Sequence, residues 1–176
     1  MNGPAPEAGT PGTARTLVAG VGNIFLGDDG FGVETLRRLT REELPASVEL
    51  ADVGVRGVHL AYELLDGWDT LVLVDVTARG GPPGTLYLID ASAANDRGHG
   101  TEPAPLDGHR MTPDAVLALL DTLCAGTGAP PPRRILVVGC EPACLDEGIG
   151  LSPQVAAAVP EAVRMVTELV RQEAVV

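Results

Sequence analysis

Aromatic residues are scarce in this chain: Phe, Trp and Tyr make up 3% of 176 residues, against 45% hydrophobic residues in all. A core must therefore be built from Val, Leu, Ile and Ala, which favours parallel strands covered by helices over an aromatic-rich sandwich. Basic residues are also few, 12 Lys and Arg against 24 Asp and Glu, for a net charge of −12. Such a surface repels nucleic acid and anionic lipid, and neither is expected as a partner. No apolar run approaches the roughly 18 residues that span a bilayer. Residues Met1 to Ala14 have neither a basic start nor an apolar stretch, so they are not expected to be a secretion signal. Their Pro, Gly, Ala and Thr suit a disordered tail over 1–14. Cysteines number three, Cys124, Cys140 and Cys144, with no C-x-x-C pair. That set points to reduced thiols and a cytoplasmic location, with buried free cysteine the plainer reading than reactive thiol chemistry.

What is present is a regular alternation of strand and helix patterns. Thr16 to Gly20, Val48 to Asp52, Thr70 to Val74 and Ile135 to Val138 are short apolar runs that read as buried strands. Between them, helices are expected over Val33–Leu44, His59–Leu65 and from Thr112-Pro113 to about Cys124. A last helix follows Ser152-Pro153 and carries Val155, Val159, Ala162, Val163, Val166, Leu169 and Val170 on one stripe. The Gly80–Gly84 turn leads straight into a strand at Thr85 to Ile89. That link is too short for a crossover helix, so this strand is expected to run antiparallel to its predecessor. Asp90 to Gly108 is a long polar loop. The pattern predicts one α/β domain over 15–176, with a mostly parallel sheet covered on both faces.

The chain is organised around Gly20-Val21-Gly22-Asn23-Ile24-Phe25-Leu26-Gly27-Asp28-Asp29-Gly30-Phe31-Gly32, between the first strand and the first helix. Its glycines allow tight turning or close approach of a ligand. In open α/β sheets the binding crevice lies outside the carboxyl ends of the parallel strands. Asn23, Asp28 and Asp29 follow the first strand, Asp52 the second, Asp75 the third and Glu141 the last, and the loop before the third helix brings His109 to the same edge. Acids crowded at one rim repel unless a cation lies between them. Asp29, Asp75 and His109 would make a two-carboxylate, one-imidazole site suited to nickel, zinc, iron or manganese. Their spacings, 46 and 34 residues, are not those of a local metal motif. Plainer readings stand beside this one: Asp28 and Asp29 as helix caps, Asp75 as a strand-end acid, His109 on the surface, and Glu141 capping a turn. His59 and His99 read as incidental. A dinucleotide site is disfavoured. Phe25 stands where the third glycine of that fingerprint belongs, Asp52 lies 32 residues past Gly20, and two aspartates occupy the pyrophosphate position.

The opening loop, with Leu-Val-Leu-Val-Asp at 71–75, Gly-Pro-Pro-Gly-Thr-Leu at 81–86, His109, Val-Val-Gly-Cys-Glu-Pro at 137–142 and Gly-Ile-Gly-Leu-Ser-Pro at 148–153, resembles the [NiFe]-hydrogenase maturation endopeptidases. The resemblance implies a phosphorylase/hydrolase-like three-layer αβα sandwich with one antiparallel strand. It implies removal of the C-terminal extension of a hydrogenase large-subunit precursor after nickel insertion. The metal contacts it implies are Asp29, Asp75 and His109, acting on nickel supplied by the precursor. There are three departures: Asp52-Val53-Gly54-Val55-Arg56-Gly57 replaces a Gly-Gly-Thr-type loop by the crevice, which bears on substrate choice, Arg110-Met111 follow the histidine in place of Gly-Leu, and Asp29 stands where some members have Glu, with a shorter reach. A nickel-checking chaperone without catalytic activity and a small-molecule-binding α/β domain are the alternatives in other classes, with a germination-protease-like peptidase a further one. A non-ligating acid, Asp28 or Asp52, is a candidate general base.

Overall fold

The computed structural model describes residues 13–92 and 113–175. Residues 1–12, most of the expected tail, and 93–112, which include most of the long polar loop with His99 and His109, lie outside the described residues.

Five strands form one sheet: β1 (Thr16–Val21), β2 (Val48–Gly54), β3 (Thr70–Val76), β4 (Leu86–Asp90) and β5 (Arg134–Cys140), in the order β2-β1-β3-β5-β4. Among the described residues four α-helices accompany them: α1 (Phe31–Leu39), α2 (Gly57–Glu63), α3 (Pro113–Thr127) and α4 (Pro153–Glu173). The three central strands are the continuous apolar runs of the sequence. Every residue of β1 is buried, and so is nearly all of β3 and β5, because helices cover both faces. The edge strands β2 and β4 are only partly buried and mix polar with apolar residues.

Side-chain alternation divides the core in two. Val18, Val72, Val74, Leu136 and Val138 face one side, where Phe31, Leu36 and Leu39 of α1 meet Val155, Val159 and Val166 of α4. Leu17, Ala19, Leu71, Leu73, Ile135 and Val137 face the other, under Leu60 of α2 and Leu120 and Cys124 of α3. α1 packs against α4 and α2 against α3, so the layers are helix, sheet, helix. The predicted stripe of α4 is wholly buried, and Ser152 caps the helix by accepting a hydrogen bond from the Val155 amide at 3.4 Å.

Three expectations need adjustment. α1 ends at Leu39, not Leu44, and the chain turns through Thr40 and Arg41 before β2. α3 runs on to Thr127. β4 does run antiparallel, but its neighbour is β5, with Leu86 opposite Cys140 and Asp90 opposite Leu136. β3 has β1 on one side and β5 on the other, so both its edges are already paired in parallel. The 77–85 link therefore carries β4 past β5 to the free edge. Among the described residues, no helix is long and apolar enough to cross a membrane.

β1 lies between β2 and β3 and is parallel to both. The chain leaves β1 to one side and returns on the other, which makes a topological switch point. A crevice opens there, outside the carboxyl ends of β1 and β3.

Candidate functional site

The opening loop is folded tightly onto that crevice. Gly22 has φ +128°, and a Cβ there would lie 1.9 Å from the Asp29 carbonyl oxygen. Gly32, in the first turn of α1, is wedged between strand ends. A Cβ there would lie 2.2 Å from the Val74 carbonyl and 2.4 Å from that of Val21. Only glycine lets the helix start sit this close to β1 and β3. The short 3₁₀ turn Gly27–Gly30 that precedes α1 therefore delivers Asp29 to the end of β3, where Asp75 stands.

Asp29 is aimed by its own loop: its Oδ2 accepts a hydrogen bond from the Asn23 amide at 2.7 Å. Asn23 is set in turn by its Oδ1, which accepts from the Phe25 amide at 2.9 Å. Asp75 is 4% exposed, and its Oδ1 accepts from the Val76 amide at 2.7 Å. Burial pushes the Asp75 carboxyl well above its ordinary value. The Val76 amide opposes this and the nearby Asp29 carboxylate adds to it. Two carboxylates from different elements thus share one crevice, where among the described residues no basic side chain offsets the charge at Asp75. A divalent cation between them would relieve both the desolvation and the repulsion, and a carboxylate pair joined by an imidazole would suit a borderline metal. Among the described residues no three His, Cys, Asp or Glu side chains gather closely enough to hold a metal ion. The expected third member, His109, lies outside them.

Asp28 has a different task from its neighbour. It is fully buried. Its Oδ2 accepts from the amides of Ala143 and Cys144 at 2.8 and 2.9 Å and from the Ser152 hydroxyl at 3.0 Å, and its Oδ1 accepts from the Ser152 amide at 2.6 Å. Burial alone would raise this carboxyl, but the Ser152, Cys144 and Ala143 donors outweigh it and hold it below the usual range. Asp28 therefore pins the opening loop to the segment between β5 and α4. Four donors and a carboxyl held below its usual range give Asp28 a holding role in the loop. Asp52 is exposed near the end of β2, and its carbonyl accepts from Arg56 Nη2 at 3.5 Å. His59 is exposed in the first turn of α2.

Glu141 caps more than a turn. Its carboxylate accepts from the Arg79 amide at 2.8 Å, the Gly80 amide at 3.1 Å and the Tyr87 hydroxyl at 2.9 Å. The Arg79 amide, with Tyr87 and Gly80, holds the group below its usual value against the effect of burial. These bonds gather the link beyond Asp75 onto the end of β5. All three cysteines are free: Cys124 and Cys140 are buried and Cys144 is exposed. Burial, then the Asp28 and Glu141 charges, push the Cys140 thiol up to about 11, so it is not a nucleophile at neutral pH.

The family model for hydrogenase maturation proteases (HycI) matches residues 33–169. The chain belongs to the hydrogenase maturation protease family. Hydrogenase 2 maturation protease of Escherichia coli is 32% identical over 165 residues, covering 92% of this chain and 93% of that protein. The hydrogenase expression/formation protein HupD of Thiocapsa roseopersicina is 33% identical over 162 residues, 91% of this chain and 69% of its own length. Among solved structures, the maturating endopeptidase HybD from Escherichia coli superposes with a TM-score of 0.69 at 30% identity, covering 90% of this chain and 93% of that one. The αβα sandwich is thus the fold of hydrogenase maturation endopeptidases, and this family member is a peptidase of hydrogenase maturation, in place of the chaperone and small-molecule readings.

Local pattern missed two features of this maturation protease. Asp28 bonds to residues 115 to 124 positions away, and Glu141 to residues 54 to 62 away. The one signal for the first was the Ser152-Pro153 helix start, which needs a partner for its hydroxyl. Glu141-Pro142 after a buried strand was the only signal for the second.

Proposed function

We propose that this maturation protease removes the C-terminal extension of a [NiFe]-hydrogenase large-subunit precursor once nickel is in place, with Asp29, Asp75 and His109 completing the coordination of the precursor's nickel. The observation that supports this reading is the placement of Asp29 and Asp75. They come from two elements, meet at the switch point, and leave a desolvated negative site that a cation would satisfy. The nickel is cargo of the substrate, so an unloaded precursor leaves the carboxylates facing each other and binds less well. When bound, such an ion supplies Lewis-acid polarisation of a peptide carbonyl or water.

The chain's own residues do the positioning. The Asn23 amide holds Asp29 and the Val76 amide holds Asp75, so neither needs to reorganise when the cation arrives. The tight packing of Gly22 and Gly32 holds the loop against the ends of β1 and β3. A cytoplasmic site of action agrees with three free cysteines.

The test mixes the protein with precursor large subunit, with and without nickel, and weighs the products by mass spectrometry. Cleavage only of nickel-loaded precursor, lost in Asp75→Asn and His109→Ala, is the expected result. Cleavage that ignores nickel, or none in either case, refutes the proposal.

A further inference from the structure

A second concave surface lies beside the opening loop, on the side of α1. It has a volume of ≈ 310 Å³, and its walls include Ile24, Val33, Ile149 and Leu151, with Arg37 and Arg38 on its rim. The groove is preformed. The Gly27 amide donates to the Gly148 carbonyl and the Gly148 amide to the Phe25 carbonyl, both at 2.9 Å, and Asp28 ties the same two segments together. Ligand binding there would involve little ordering of the backbone.

Its surface has two properties that a plain helix flank does not need. Ile149 is 81% exposed and Ile24 is 41% exposed, so aliphatic area is left in water on a rigid frame. Charge is also unbalanced. Among the described residues Glu34 is the one carboxylate that lines the groove, and it accepts from both Arg37 Nη1 at 3.2 Å and Arg38 Nε at 3.3 Å. Support of the helix needs one such pair. Two guanidiniums on one carboxylate leave a surplus positive charge at this rim, on a chain whose net charge is −12. An occupant that satisfies both properties is apolar and carries an anionic group beside its apolar part. Ile24 also lines a second groove with Asn23, whose amide holds Asp29, so the surface runs on from the carboxylate crevice.

We propose that this groove docks a segment of the hydrogenase precursor that presents an aliphatic side chain next to a carboxylate, away from the bond that is cut. This rests on the proposed function, and it adds a second recognition element that does not involve nickel. Glu34 tempers the affinity, because it competes with the incoming carboxylate for the same two arginines.

The test is calorimetric titration of precursor large subunit into the protein and into Arg38→Gln, Ile149→Ser and Glu34→Gln variants. The expected outcome has opposite signs. Arg38→Gln and Ile149→Ser raise Kd, the former by about two- to five-fold, whereas Glu34→Gln lowers it. Raising NaCl should weaken binding to the unmodified protein more than to an Arg37→Gln, Arg38→Gln double variant. Were the arginines merely helix supports, Glu34→Gln would not tighten binding. Equal Kd values across the set overturn the docking proposal, as would variants that change self-association of this chain but not precursor binding. Cleavage of the same mixtures is read separately. Binding of nickel-loaded precursor without its cleavage by the unmodified protein overturns the proposed function but leaves the groove to be judged on Kd, and no binding of loaded or unloaded precursor overturns both.

Discussion

The Asp28→Asn substitution tests the claim that the opening loop is held by a buried charge and not only by its glycines. The aspartate has four donors within 3.0 Å, three of them backbone amides, and is itself fully buried. Asn keeps the volume. Its oxygen can take the place of Oδ2 and accept from Ala143, Cys144 and Ser152 Oγ. Its NH₂ then faces the Ser152 amide, donor against donor. Hydrogen bonds to a charged acceptor contribute about 1.5–3 kcal/mol and neutral ones about 0.5–1.5, so three bonds each weakened by about 1–1.5 kcal/mol and one lost bond come to about 4.5–7.5 kcal/mol. In a chain of this length each kcal/mol moves Tm by about 2–4 °C, which places the loss near 9–30 °C. Scanning calorimetry at neutral pH measures it. The sign with pH comes from the depressed folded value of Asp28. Its contribution is present above the unfolded carboxyl value and is lost as pH falls through the lower folded value. The gap between the two proteins should therefore close in acid. A variant that melts within about 2 °C of the unmodified protein at pH 7, or a gap that widens in acid, refutes this account.

Asp75→Asn should remove precursor cleavage yet raise Tm at pH 7 by the order of a few degrees. The folded Asp75 value is raised, so ionising it costs stability as pH rises from the unfolded value through the folded one, and Asn has no such cost. Thermal scans from pH 4 to 8 check this; equal pH slopes for the two proteins would contradict it. Gly32→Ala should cost more than about 3 kcal/mol, because its Cβ would meet two backbone carbonyls within 2.4 Å, which cannot move without parting β1 from β3. Gly126→Ala, in α3 with nothing within 4 Å, should instead stabilise by about 0.5–1 kcal/mol. Urea denaturation of the pair gives both values. Leu120→Ala, fully buried between α3 and the sheet, should cost about 2–5 kcal/mol without altering the Asp29 and Asp75 geometry, and nickel-dependent cleavage at low temperature should persist.

The central strands and the last helix could be read along the chain because burial is a local demand. A strand covered on both faces needs an unbroken apolar run, as in Thr70 to Val74, and a helix that covers one needs a stripe at 3.6 spacing, as in Val155 to Val170. The rim position of Asp29 and Asp75 was legible as well, since Asp29 lies in the loop that follows one such run and Asp75 at the end of another. The neighbour of β4 was not. An edge strand's composition records that one side is open but not which strand lies on the other. Nor could Asp28 be told from Asp29 by spacing, for they are adjacent and chemically alike.

The sequence by itself determined the order of elements, the two buried faces and the acids delivered to one edge, because those depend on periodicity and on the residues at the carboxyl end of each strand. Only the tertiary structure decided what each acid does. Asp28 turned to amides of a segment more than a hundred residues on, while Asp29 turned to the crevice with Asp75. The reason is that a carboxylate's role is set by which donors and charges surround it, and those come from the other end of the chain.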